Sequence, residues 1–275
     1  MKNYAKLVHF EINRFFKLYV VLMGVTILFQ LIGAVVVAND FMNRADQIML
    51  ENQLTVNQFI VNYGVFSFWD FLNSGWFIFP IMFCIAMLLI YVFFIWYRDW
   101  FGKNTFIYRL LMLPTERISI YFAKLTSIML LVFGLIALQI ILVTIEKLIV
   151  NGIIPENLRE SFSYYGNYYF DIWNLLYPNS FMQFIIHYGV GLTFVAVAFT
   201  AILFERSFRF KGIFFAIAYG LLSFGVFITP SIVDGYITNR FYPNELFLMN
   251  LGTCLLVFGS AIWIANYLLK HKIRV

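Results

Sequence analysis

The side chains that could do chemistry in this chain are few, and they stand at the edges of its apolar stretches. His187 lies near the start of one stretch, Glu205 at its end beside Arg206, and Glu146 with Lys147 closes another. A proton relay or a buried base needs ionisable groups in mid-membrane despite their cost there, so these positions read instead as boundary residues. No Glu, Cys or second His shares a helical face with His187 at ligand spacing, which leaves metal chemistry without a donor set. Cys84 and Cys254 each fall inside an apolar run, where a lone thiol behaves as a small apolar side chain, and neither a disulfide framework nor redox chemistry is indicated. Gly102-Lys103 lacks the upstream glycine and the following hydroxyl of a phosphate-binding loop, Asn104 standing in its place. The chain is therefore expected to be no enzyme by itself, with no catalytic residue, cofactor or metal of its own.

The elements that carry these residues follow from composition. With 62% hydrophobic residues, 12% charged residues and a mean hydropathy of +0.83, the chain lies far from soluble-domain averages. Lipid requires every backbone polar group to be bonded internally, and continuous apolar runs favour helices over the alternating strands of a barrel. The expected fold class is all-α, a polytopic membrane protein formed by a single domain over residues 1–275. Six transmembrane helices are expected over about 18–38, 75–97, 122–145, 184–204, 213–229 and 247–269, each near the ~20 residues that a hydrocarbon core demands. The fifth is the shortest.

Basic residues set the orientation, because Lys and Arg near span ends are retained in the cytoplasm. Only Arg44, Lys147, Arg159 and Arg240, four of the 19, fall on one side, together with most of the acids. Both termini are expected to be cytoplasmic, in a multi-pass cell-membrane protein. The net charge of +5 is dispersed along membrane edges, a topology and anionic-lipid signal rather than a nucleic-acid footprint. The first run is about 21 residues long, beyond the ~7–15 of a signal-peptide core, and reads as a retained span.

Residues 1–17 interleave Tyr4, Leu7, Phe10, Phe15 and Phe16 with Lys2, Lys6, Glu11, Arg14 and Lys17. This pattern predicts an amphipathic helix in the headgroup plane that turns into the first span through an elbow. The external loops 39–74 and 146–183 are too apolar for disorder; their aromatics, Tyr164 to Trp173 among them, read as an interfacial belt with short helices, or as a surface for substrate. Between the last two spans, Pro230, Asp234, Gly235 and Pro243 supply turn and cap chemistry for either a hairpin dipping into the outer leaflet or an ordinary interfacial loop.

One cytoplasmic segment carries more information. From Asn104 to Arg117 the chain is apolar yet too short to span; Asn104 or Thr105 can cap two helical turns, Pro114 stops them, and Thr115 with Glu116 starts another helix. Phe106, Ile107, Leu110, Leu111 and Leu113, flanked by Arg109, Glu116 and Arg117, would form an apolar surface that either docks a soluble partner or rests on lipid.

In these features the chain resembles the permease subunits of type-2 ABC exporters. The resemblance rests on the amphipathic start, the six spans and a first cytoplasmic loop with Leu110, Leu111, Leu113, Pro114 and Arg117, followed by Ala123 and Lys124. It implies that this loop is a coupling helix seated in a groove of the ATPase, with Phe106, Arg109, Leu110, Leu113, Pro114, Glu116 and Arg117 as contacts. Two separate cytosolic ATPase subunits would then bind ATP and Mg, and a second permease copy or homologous permease would complete the pathway in a bacterial plasma membrane. Phe79, Phe83, Met87, Phe215, Tyr219 and Phe224, on the second and fifth spans, suit a hydrophobic or amphipathic cargo such as an antimicrobial or toxic peptide, or a lipid. A non-transporting membrane scaffold or sensor would use the same loop without ATP.

Overall fold

The computed structural model describes residues 2–101, 106–112, 116–160, 176–178, 180–208, 210–235 and 241–273. Described residues form α1 (Lys2–Glu51), α2 (Val56–Tyr63), α3 (Phe68–Leu72), α4 (Gly75–Phe101), α5 (Phe106–Leu111), α6 (Ile118–Ile153), α7 (Phe181–Phe208), α8 (Phe210–Val233) and α9 (Pro243–Tyr267). Six of the helical segments are long and apolar enough to cross a membrane. The all-helical, multi-pass reading is thus met, and α8, with 24 residues, is the shortest of the six principal helices.

The helices overrun the apolar stretches that announce them. Hydropathy marks only the part suited to hydrocarbon, whereas backbone hydrogen bonding needs no apolar side chain and continues past it. The largest departure is α1. Where the sequence predicts an interfacial helix and an elbow near residue 17, one uninterrupted helix of 50 residues runs through, about 75 Å at 1.5 Å per residue. No proline or glycine stands between Lys2 and Val20 to break it. Loop 39–74 is correspondingly shorter, since α1 continues to Glu51.

The chain divides into two compact units, and α1, α4 and α6 each contribute a stretch to both. One unit comprises residues 15–87 and 131–177. On its portion of α1, Phe15, Tyr19, Leu22, Thr26, Gln30, Ala34 and Ala38 are buried, while Leu18, Val21, Val25, Leu28, Ile32 and Val35 are exposed. From Thr26 to Ala38 large apolar groups face outward and small or polar ones inward, because lipid solvates Leu as well as protein does and only close approach or hydrogen bonds distinguish the inner face. A Cβ on Gly33 would collide with Trp76. The register is set by Tyr19 Oη donating to the Leu131 carbonyl (3.0 Å), Thr26 Oγ1 meeting Cys84 Sγ (3.2 Å), Gln30 Nε2 donating to the Phe77 carbonyl (3.2 Å) and Gln139 Nε2 donating to Gln30 Oε1 (3.1 Å). These pairs run α1 parallel to α6 and antiparallel to α4. Beyond them α2, α3 and the 3₁₀ turn Glu156–Leu158 pack an apolar core with Phe59, Phe66, Phe71 and Leu158. Short helices do pack in the described part of segments 39–74 and 146–183; Tyr164 to Trp173 lie outside the described residues.

The other unit comprises residues 1–14, 88–130 and 178–275. Here Thr193 Oγ1 meets Cys254 Sγ (3.0 Å) and Thr200 Oγ1 donates to the Ala261 carbonyl (3.1 Å), so α7 and α9 run parallel. The α8 helix returns antiparallel to α7, with Phe215 and Tyr219 against Phe204. Gly212 is the pivot of this return: a Cβ there would sit 2.8 Å from the Glu205 Cα and closer still to the Phe204 carbonyl. Gly212→Ala is expected to lower stability by about 1–3 kcal/mol, measured as a lower midpoint of thermal unfolding in detergent, because backbone atoms must move to admit the methyl group. Pro230 lies inside α8 and is buried, and α9 opens with Tyr242 as N-cap, its N–H donating to Glu245 Oε2 (3.0 Å). Residues 236–240, central to the expected hairpin, lie outside the described residues.

Candidate functional site

The most unusual chemistry in the molecule is a chain of five alternating charges in the second of these units. Lys124, nearly two turns into α6, is fully buried. Its ammonium group donates to Glu11 Oε1 (2.7 Å) on α1, to Asp99 Oδ2 (2.5 Å) near the end of α4 and to the Ile95 carbonyl (3.0 Å). All three protons are thereby used, and the charge lies 5.2 Å from the Trp96 ring centre. The remaining oxygen of Asp99 accepts from Arg14 Nη1 (2.7 Å), and that of Glu11 from Arg98 Nη2 (3.1 Å). The order is Arg14, Asp99, Lys124, Glu11, Arg98, with the two guanidinium groups retaining partial exposure. Such an array offsets the cost of desolvation only while every member is present.

Its position gives the network meaning. Asp99 and Lys124 stand where the chain enters and leaves the segment of residues 102–117, so the network pins both roots of that loop to the N-terminal part of α1. Further contacts hold the same end: Tyr97 Oη donates to Glu205, Arg206 lies over the rings of Tyr97 (4.8 Å) and Phe101 (4.6 Å), and Tyr121 Oη donates to the Ala196 carbonyl (2.9 Å). Tyr4 Oη reaches Thr126 Oγ1 (2.6 Å) and Arg117 Nη1 donates to the Leu269 (2.8 Å) and Ile273 (3.0 Å) carbonyls, which places both ends of the chain beside the start of α6. Arg117 thus occupies the carbonyls left open where the last helix ends, a place that favours a cation.

The loop's short helix, α5, differs from the docking surface expected of it. Ile107, Leu110 and Leu111 are buried, so the expected apolar face is turned into the protein, while Arg109 and Glu116 are exposed and Met112 is 70% exposed. An apolar face six residues long cannot remain in water when a bundle stands beside it, and the helix turns its charged edge outward. Of the residues assigned to coupling, Arg109 and Glu116 are therefore free to meet a partner, Leu110 is a packing residue, and Arg117 already holds the C-terminal turn. Leu113 and Pro114 lie outside the described residues, as does the side chain of Phe106.

The residues assigned to a substrate pathway are divided between the units. Phe79, Phe83 and Met87 belong to one, the two phenylalanines well exposed and Met87 half-buried. Phe215 and Phe224 in the other are exposed, and Tyr219 is half-buried with its hydroxyl 3.1 Å from Ser260 Oγ. Among the described residues no group of His, Cys, Asp and Glu could hold a metal ion. His187 is exposed, with Nδ1 2.7 Å from the Gln183 carbonyl, as a boundary residue would be.

Glu146 is not a boundary residue in that sense. It is fully buried, and among the described residues neither carboxylate oxygen has a hydrogen-bond partner. A buried polar group without a partner costs about 1–3 kcal/mol, so Glu146→Leu is expected to raise stability by that order. A raised unfolding midpoint in detergent checks this, and a lowered one would show that the carboxylate has a structural partner.

Glu11 and Asp99 were not legible as a pair, yet a signal existed. Acids are rare on the basic side of this chain, where only Glu11, Asp99, Glu116 and Glu205 occur, and three of these four are in ion contacts. An acid retained among basic residues at a membrane edge marks a pair. Comparison of the chain with protein-family models, with characterised proteins and with solved structures finds no match.

Proposed function

We propose that this chain is the transmembrane subunit of an ATP-driven exporter of the type-2 ABC kind, in which separate cytosolic ATPase subunits supply the power. The observation that carries the reading is the short helix α5 on the basic side, with a buried apolar face and an exposed Arg109, followed in the chain by exposed Met112 and Glu116, between two spans whose ends are clamped by Lys124. A docking element on so rigid a root passes displacement into α4 and α6 rather than absorbing it. The bias of Lys and Arg supports a cytoplasmic side for this end and for both termini, and a bacterial plasma membrane is what the resemblance implies.

In this reading ATP and Mg bind in the partner, and no residue of this chain makes or breaks a bond. Two permeases, identical or paired, enclose one pathway for a hydrophobic or amphipathic cargo, and export follows from the resemblance. The test is affinity purification of the tagged chain from its native membrane in mild detergent, with mass spectrometry of co-purifying proteins and an assay for vanadate-sensitive ATP hydrolysis. A stoichiometric P-loop ATPase supports the reading. Its consistent absence overturns it and leaves a membrane scaffold or sensor that uses the same exposed edge.

A further inference from the structure

The turn that follows α9 presents cations that its own helix does not need. After Tyr267 the backbone runs into a wider π turn, Leu268–Lys272, which buries Leu268, Leu269 and Ile273 and leaves Lys270, His271 and Lys272 exposed. A lysine at a helix end commonly answers the open carbonyls there. Arg117 already answers them, at the Leu269 and Ile273 carbonyls, so the turn is anchored without its lysines. Lys272 Nζ lies 5.6 Å from the centre of the Phe208 ring, which sets this turn beside the junction of α7 and α8. At that junction Lys211 is exposed in the first turn of α8, an end where the helix dipole opposes a cation.

The positive charge of this corner is not offset by the rest of the chain. No acidic side chain occurs from Arg206 to Val233 or from Leu246 onward. Of the four acids on the basic side, Glu205 is paired with Arg206 (3.7 Å), Glu11 and Asp99 are outnumbered by cations in their buried array, and Glu116 adjoins Arg117. On that side, residues 102–105, 113–115, 209 and 274–275, which lie outside the described ones, include no acid and add Lys103, Arg209 and Arg274.

The surroundings of these lysines decide between a soluble anion and a lipid. Along α9, Leu256, Trp263 and Tyr267 are exposed at spacings that keep them on one helix face, and Lys270 comes next on it. On α8, exposed Phe210 and Phe214 flank Lys211 in the same way. An apolar stripe that passes through aromatic rings to an exposed cation is the sequence of layers from acyl chain to phosphate at a membrane surface. A soluble acidic partner would meet a polar rim instead.

We infer that the corner formed by Lys211, Lys270 and Lys272 binds the phosphate of an anionic glycerophospholipid, whose acyl chains lie along the exposed faces of α8 and α9. Binding here needs no ATPase, so it stands apart from the exporter reading.

The experiment is native mass spectrometry of the full-length protein in detergent, titrated with phosphatidylglycerol against an excess of phosphatidylcholine. Phosphatidylglycerol is expected to be retained in preference. Lys211→Gln combined with Lys270→Gln is expected to weaken its binding about twentyfold, roughly fivefold for each lysine at an anionic surface, with an unchanged unfolding midpoint. Lys211→Arg with Lys270→Arg is expected to keep it. Lys6→Gln with Lys17→Gln removes two exposed cations of the same side from α1, and is expected to leave binding within about twofold of the parent. Equal retention of phosphatidylcholine, equal loss with the α1 pair, or full binding by the Lys211 and Lys270 glutamine variant would overturn the assignment and leave these lysines as a topology signal. Displacement of the lipid by an equal concentration of glycerol phosphate would also overturn it, and would assign the corner to a soluble phosphate.

Discussion

Lys124→Met is expected to destabilise the protein by about 3–5 kcal/mol, the usual result of removing one partner from a buried ionic array. The substitution leaves a side chain of similar length in a site without exposed surface, so loss of packing contributes little. What remains is Glu11 and Asp99, both buried, each retaining one arginine and facing the other across the space the ammonium group had occupied. The measurement is the unfolding midpoint of purified protein, together with the yield of monodisperse protein from membranes. Combining Lys124→Met with Glu11→Gln and Asp99→Asn is expected to restore much of the loss, since Arg14 and Arg98 keep partial access to solvent once their carboxylates are gone. If Lys124→Met alone is as stable as the parent, the five charges do not act as one network. Under the exporter reading the rescued triple variant is the informative one, because it folds without the clamp: ATPase binding is expected to persist while transport falls.

The second large effect separates docking from packing on α5. Substitution of Arg109, Met112 and Glu116 together by Ala is expected to leave the unfolding midpoint unchanged, because all three are exposed. Under the exporter reading it is also expected to lower co-purification of the ATPase at least tenfold, on the order of the loss when central contacts of an interface are truncated. Leu110→Ala, next to Arg109 but buried, is expected to do the reverse, costing about 2–4 kcal/mol of stability through the cavity it leaves. Arg117 is left out of the docking set because its guanidinium group is already committed to the Leu269 and Ile273 carbonyls. Unchanged ATPase recovery with the triple alanine variant would remove α5 from the mechanism even if the family reading survived.

Both effects depend on which side of a helix a residue occupies, and there the sequence and the tertiary structure part company. The number and class of the elements were legible in the residues alone. Lipid admits few solutions to the backbone hydrogen-bond problem, and a run of about 20 apolar residues has one common reading. The short helix before Pro114, the brevity of the fifth span and the helical content of the external loops followed from similarly local rules of breaking, capping and length.

The inward face of each helix did not follow, because in lipid the hydrophobic pattern stops distinguishing inside from outside. On α1 the inner stripe is Tyr19, Thr26, Gln30 and Ala34, and nothing in the intervening valines marks the outer one. The elbow expected near residue 17 failed for a related reason. Amphipathic composition over residues 1–17 is compatible with a headgroup helix, but it is equally met by a helix whose acid at Glu11 answers a lysine 113 positions away. Contacts at that separation have no local signature. Composition and the placement of Lys and Arg determined an all-helical chain with six helices long and apolar enough to cross a membrane and a short helix on its basic side, because those properties depend on backbone solvation and local geometry. Tertiary structure alone decided that Glu11, Asp99 and Lys124 form one buried array, that Glu146 is sealed from solvent, and that α5 turns its leucines inward, because each depends on what a side chain meets from elsewhere in the chain.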